Sequence, residues 1–527
     1  MAKHGKSAIL FFVFAVILSF TMASKLSACD VTEVHFYIGA DITDAANHNT
    51  DTVYKVGDTH FYYHVHITAN EPNTEEFELK IYDPANSETV LWNNFHISGT
   101  ATSDTGMVAL PNIPVGTHSL KATVKRVGTS TTVDSETRTL VVSDLDENTV
   151  FVISDASDSW SENSTPSPVA HDKTVHLRAV IKVTPAIEQH NYFWGEAQDT
   201  ATVGGLSQIV YQWNNDWGAP NIVWKKVMPY KTHVDLDGND PGTPTYTAYT
   251  NNSQVTGAWL GSSGVNGQTS EGNGYDIIEY NQTSAAWSGW EGTIDTNAGT
   301  TRYRISDCYF SGYGNQKYTP GKENTSTGSN LYWTGDDDAY DQGIKNSFMR
   351  IVRTSNNANT FISHIESYEY VPWIFGSEGS PHQTERYVGF DCADLAVGAG
   401  HAAGVTSVGY TNANGLAGAL SNRGSYGVLY QDNTNIRSAT TGDTVLVPIG
   451  TGANDFHIGD LLFIDYNANG IYDHTTILYA DNGTANQLDP DDEMIYASQN
   501  GANGGIRKLK LKEVCGVLPA RFCLKKW

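Results

Sequence analysis

Gly389-Phe390-Asp391-Cys392-Ala393-Asp394-Leu395 is the stretch on which the reading of this chain turns. An aspartate able to cap is followed at once by a cysteine, and small residues continue to Ala403 in a helical pattern. A thiol at a helix N-terminus lies at the positive end of the helix dipole, which favours thiolate. Downstream, Gly459-Asp460-Leu461-Leu462-Phe463-Ile464 and Asp473-His474-Thr475-Thr476-Ile477-Leu478-Tyr479 read as apolar strands, the second carrying a lone histidine. Cysteine first and histidine later, on a strand, is an order used by thiol nucleophiles with an imidazole base.

The 527 residues allow about three domains. Lys and Arg number 32 against 58 Asp and Glu, a net charge of −26. That balance excludes a nucleic-acid partner, since phosphate contact requires basic patches. Charged residues make up only 17 %, with Gly, Asn, Thr, Ser and Tyr in their place, a composition of short strands and polar loops.

Lys3 and Lys6 precede the apolar run Ala8 to Phe20, so residues 1–28 read as a signal peptide, too short in its apolar part for a permanent span. Leu26-Ser27-Ala28-Cys29 resembles the lipobox of bacterial lipoproteins, which would place a lipid anchor on Cys29; ordinary cleavage near Ala23 or Ala28 is the other reading. Either way the protein is expected to be exported, to an extracellular, periplasmic or outer-envelope location. Cys515 and Cys523 could pair as a disulfide there, leaving Cys308 and Cys392 as free thiols or as a second bridge.

Residues 29–145 read as a β-sandwich, with alternating segments at Val34–Ile38, His60–Ile67, Phe77–Tyr82, His118–Val124 and Thr137–Val142. Pro114 to Val124 resembles the late strand of bacterial immunoglobulin-like modules, which implies that fold and no activity. Residues 146–355 read as a second β-rich domain with long polar loops, its strands at Val175–Val183, Ile222–Met228, Tyr275–Tyr280 and Thr301–Phe310. Trp213, Trp217, Trp224, Trp287 and Trp290 lie in or near those loops, as core residues or as platforms for sugar rings. From residue 356 the texture changes to a helix capped by Asn359, then Tyr370-Val371-Pro372-Trp373-Ile374-Phe375-Gly376, then the cysteine motif.

Pro372–Gly376, Gly389–Cys392, Gly459–Phe463 and Asp473-His474, in this order, resemble the NlpC-type family of bacterial cell-wall cysteine peptidases. Family members show Pro-Tyr-Val-Trp-Gly, Asp-Cys-Ser-Gly-Leu, Gly-Asp-Leu-Val-Phe-Phe and Gly-His-Val-Gly-Ile-Tyr. The resemblance covers roughly the last third of the chain, residues 356–527. It implies a multidomain protein: N-terminal all-β immunoglobulin-like sandwiches, then a C-terminal α+β papain-like hydrolase domain. It also implies Cys392 as nucleophile, His474 as base and a third residue orienting the imidazole. For that third role Gln499 is preferred over Tyr496 and Ser498. Ala393-Asp394 after the cysteine, Thr475-Thr476 after the histidine and Trp373 in place of a tyrosine depart from the family pattern.

Asp465, Asn467, Asn469 and Asp473 stand at positions 1, 3, 5 and 9 of a loop with Gly470 at position 6, resembling an EF-hand or dockerin calcium loop without its final glutamate. A structural Ca2+ there would brace the turn before His474; a hairpin turn at Asn469-Gly470 needs no ion. The leading expectation is an exported cysteine peptidase or amidase acting on peptidoglycan, with no cofactor needed for catalysis. The alternative is a surface adhesion or glycan-binding protein carrying a degenerate, non-catalytic papain-like domain. In both, peptidoglycan or another cell-envelope polymer is the expected partner, and the oligomeric state is open.

Overall fold

The computed structural model describes residues 76–85, 88–96, 114–126, 132–162, 167–214, 220–229, 298–310, 349–371, 384–387, 389–498, 505–516 and 520–527. It also describes strand pieces at 31–39, 52–56, 62–69, 103–104, 108–109, 246–249, 277–282 and 289–290, and the single residues 217 and 373. The signal segment with Cys29, Trp287 and Gln499 lie outside the described residues. The described chain is mostly β and built from several sheets.

The segments expected as strands are strands, among them Glu76–Asp83, Gly116–Arg126, Leu177–Ile187 and Pro220–Pro229. The longest is Thr132–Ser154, 23 residues. Its first half pairs antiparallel with Gly116–Arg126 and its second half with Leu177–Ile187. The junction expected at 145/146 therefore falls inside one continuous strand. Asp144 to Asn148 is polar enough to read as a linker, yet Leu145 is buried in the core and Ser143 Oγ donates to Pro185 O at 2.8 Å. Those two contacts hold the backbone extended through the polar run.

The described strands between residues 145 and 353 form two sheets packed face to face. One core gathers Leu145, Val152, Ile181 and Phe193 from one sheet with Trp224, Ile305 and Met349 from a second. Trp213 and Trp224 belong to this core, 5 % and 1 % exposed, which settles both as packing residues rather than sugar platforms. Cys308 lies here too, buried in the same core.

The second sheet also grips the C-terminal unit. Arg302, fully buried on the strand Gly299–Phe310, donates to Tyr370 O at 3.0 Å and Tyr387 O at 2.7 Å. Thr300 Oγ1 donates to Ser367 O at 2.8 Å. Backbone carbonyls ahead of the cysteine motif are thus satisfied by side chains from the sandwich. Burial and the charge of Arg350 pull the Arg302 guanidinium well below its ordinary value.

In the C-terminal unit, helix α1 is Thr360–Glu366, α2 Cys392–Ala402, α3 Ala413–Ala419 and α4 Leu511–Cys515. Strands β1 Leu429–Gln431, β2 Ile436–Ser438, β3 Leu461–Asp465, β4 His474–Ala480, β5 Glu493–Ser498, β6 Gly505–Lys510 and β7 Arg521–Lys525 form one sheet. Its order is β2-β1-β7-β3-β4-β5-β6. Strand alternation sorts its side chains into two cores. Leu461, Phe463, Ile477 and Ile495 face α1 and α2, packing on Phe361, Ile365, Ala393 and Ala396. Leu462, Ile464, Leu478 and Met494 face the other way, onto Leu511 and Val514 of α4.

Candidate active site

Helix α2 begins where its sequence says it should. The Oδ1 of Asp391 accepts from the backbone N–H groups of Ala393 and Asp394, each at 2.9 Å. Small residues then let the helix lie close to its neighbours. A Cβ on Gly400 would stand 2.0 Å from a ring carbon of Trp527, and one on Gly398 2.6 Å from the Tyr368 hydroxyl. Trp373 is joined to Phe390 by a parallel bridge, so this residue of the earlier motif reaches the cysteine motif. At α1, Asn359 Oδ1 caps Ile362 N–H at 3.2 Å and Asn359 Nδ2 donates to Ile458 O at 2.8 Å, tying that helix to the start of β3.

Cys392 is a partly exposed free thiol. Burial of its sulfur and the carboxylate of Asp391 push the thiol well above its ordinary value, with Asp394 adding to the rise. The backbone N–H groups of Thr475 and Ala393 beside the sulfur pull the other way. Burial and two carboxylates outweigh two N–H donors. Burial and the two carboxylates therefore favour the protonated thiol, against the pull of the helix dipole.

His474 opens β4, one residue before the strand touches Cys392. Its ring lies 4.6 Å from that of Tyr496 and 6.2 Å from that of Tyr466, centroid to centroid. Tyr466 and Tyr496 both pack on the core that contains Leu478 and α4, whereas Cys392 packs on the core that contains Ile477 and α2. The imidazole therefore occupies the sheet face opposite the cysteine. Thr475 takes the cysteine's face, and its buried Oγ1 makes no hydrogen bond. His474 Nε2 is likewise buried without a hydrogen bond, and burial lowers the imidazole to about 3, so it is neutral at any ordinary pH. A general base must come within hydrogen-bond reach of its proton. Cys392 lies beside the backbone of β4, and His474 Nε2 makes no hydrogen bond to it.

Tyr496 stands beside His474, as its place on β5 allows. Ser498 ends β5, paired with Gly505. Sequence reasoning did not single out Tyr466, whose hydroxyl donates to Val514 O at 3.2 Å and which closes the aromatic pocket around His474. A tyrosine next to Asp465 was the only available signal.

The loop Asp465–Asp473 is closed by its own hydrogen bonds. Asp465 accepts from Asn469 N–H at 3.0 Å and Gly470 N–H at 2.7 Å; Asn469 Oδ1 accepts from Ile471 N–H at 2.8 Å; Asp473 accepts from Tyr466 N–H at 3.2 Å. Among the described residues no group of three or more His, Cys, Asp or Glu gathers as a metal site. The side-chain oxygens of Asp465, Asn469 and Asp473 thus accept from N–H groups of the turn itself.

Cys515 and Cys523 are both free. Cys523 packs in the core shared with α2 and Cys515 in the core of α4, so the sheet separates them and the expected disulfide does not form. Asp460, within the Gly459–Phe463 motif, has a structural role: its carboxylate receives Arg423 Nε at 2.6 Å and Nη2 at 2.8 Å, His457 N–H at 2.9 Å and Trp527 N–H at 3.1 Å.

No protein-family model matches this chain, and none of the curated proteins does.

Proposed function

We propose that this chain is an exported surface protein that binds cell-envelope polymer, its C-terminal unit a papain-like domain of the NlpC kind that does not turn substrate over. The single observation that carries the reading is the parity of β4: Thr475, not His474, shares the face of Cys392. A helix opened by cysteine and packed on an antiparallel sheet supports the papain-like scaffold; a protonated thiol with no imidazole beside it supports the absence of turnover. The β-rich region, immunoglobulin-like in its strand spacing, then serves as spacer and binding module.

The test incubates purified sacculi with the wild-type chain and with Cys392→Ser. Expected is equal cosedimentation of both and no muropeptide released by either. A second reading, the peptidoglycan hydrolase, is favoured by the Thr475 and Ala393 N–H groups at the sulfur, since such donors can stabilise a thiolate or an oxyanion. Muropeptides released by wild type and not by Cys392→Ser would establish that second reading. Failure of both chains to cosediment would remove peptidoglycan as the partner.

A further inference from the structure

A cavity of about 520 Å3 opens on the sandwich, remote in sequence from the cysteine motif, with Trp160 among its walls. The volume falls in the small-molecule range of roughly 300–1,000 Å3. Trp160 is half-buried and held on two sides. It meets the fully buried Trp194 edge-on at 5.4 Å, and the guanidinium of Arg178 lies 5.4 Å from its ring. Trp194 is itself fixed by a hydrogen bond from Nε1 to Ala197 O at 3.0 Å. Backbone pairing of Trp160 with Ala201 fixes the strand that carries it. The indole is thus a rigid wall, costing little entropy to present.

The rest of the lining is polar and supplied by turns on either side. Asp199 and Thr200 come from one strand, Thr174 from the segment leading into the strand Leu177–Ile187, Asp158 and Ser159 from the turn before Trp160. Lys173 donates to Asp158 Oδ1 at 2.8 Å and to Ala156 O at 2.7 Å, so its charge is already matched. Asp155 Oδ2 is hydrogen-bonded to His176 Nδ1 at 2.7 Å. With Lys173 paired to Asp158, the acidic excess of the lining repels phosphates and acidic sugars.

We infer that this cavity binds a neutral hexose unit of a polysaccharide. An indole face suits the C–H face of a pyranose ring, while carboxylates and hydroxyls around it suit the ring's hydroxyl groups. The inference stands whether or not the C-terminal domain turns substrate over.

Calorimetric titration of the full chain with hexasaccharides of β-1,4-glucan, β-1,3-glucan and α-mannan tests it. Expected is binding of at least one, weakened at least about tenfold by Trp160→Ala, of which stacking would supply up to 1.5 kcal/mol. Trp160→Tyr, which keeps an aromatic wall, should stay within about threefold of wild type and shows that a loss in Trp160→Ala is not unfolding. The inference is overturned if none of the three binds, if Trp160→Ala binds as wild type does, or if calcium alone binds and Asp199→Asn abolishes that binding. Failure of sacculus cosedimentation leaves this result separate, because the probes here contain no peptidoglycan.

Discussion

The backbone N–H of Thr475 lies beside the sulfur of Cys392 and favours its thiolate, bringing the start of helix α2 to strand β4. The same strand carries His474 to the opposite face, against Tyr496. A side-chain period of two makes these facts inseparable, because neighbours on a strand cannot share a face.

Cys392 should therefore behave as a thiol without an activating base. Alkylation by iodoacetamide at pH 8 should run at least about tenfold slower than for free cysteine, because the thiolate is the nucleophile and its population falls as the pKa rises. His474→Ala should leave that rate within about twofold. A drop of tenfold or more in the variant would mean that the imidazole does reach the sulfur.

Asp391 acts twice, as the cap of α2 and as a charge on Cys392. Asp391→Ala should lower stability by about 1 kcal/mol, the usual worth of an N-cap. Losing the carboxylate should also let the thiol pKa fall, so alkylation should quicken while urea stability declines. Opposite movements of these two readouts separate the charge effect from simple loosening.

His474 couples folding to acid. Its folded value, about 3, is below its unfolded value of 6.5. Above pH 6.5 both states are neutral and the group contributes no pH dependence. Between pH 6.5 and 3 the unfolded state takes up the extra proton, so stability is lost as pH falls, by at most about 1.4 kcal/mol per pH unit. His474→Phe, which keeps an aromatic ring between Tyr466 and Tyr496, should flatten this part of the profile. Asp492, raised by burial to about 6, acts with the opposite sign. The wild-type minus variant difference in urea midpoint across the window is therefore the quantity to measure.

Arg423 and Asp460 are 5 % and 3 % exposed, and Asp460 also receives the N–H of Trp527. Arg423→Ala strands a buried carboxylate and should cost about 3–5 kcal/mol, whereas Arg423→Ala with Asp460→Ala should cost less than the sum of the two single changes. Thermal unfolding of the four proteins closes that cycle. Strict additivity would mean the pair contributes no coupling.

Much of the local structure could be read from the residues. Asn359 and Asp391 announce two helix starts because each places an acceptor beside N–H groups that nothing else satisfies. The apolar runs at Leu461 and Ile477 announce β3 and β4. The face taken by His474 could not be read, since residues 474–478 are all buried and the strand shows no inside-outside alternation from which to count. The fate of Cys515 and Cys523 was equally hidden: eight positions apart in sequence, they end on different sides of one sheet.

The sequence by itself determined the elements and their ends, because capping, turn chemistry and strand patterning act over a few residues. Tertiary structure alone decided which side chains meet. Thr475 rather than His474 stands with Cys392, and Trp160 is fixed by Trp194 and Arg178 from other strands. Such meetings depend on sheet register and on which core each strand face joins, and neither is set by neighbours along the chain.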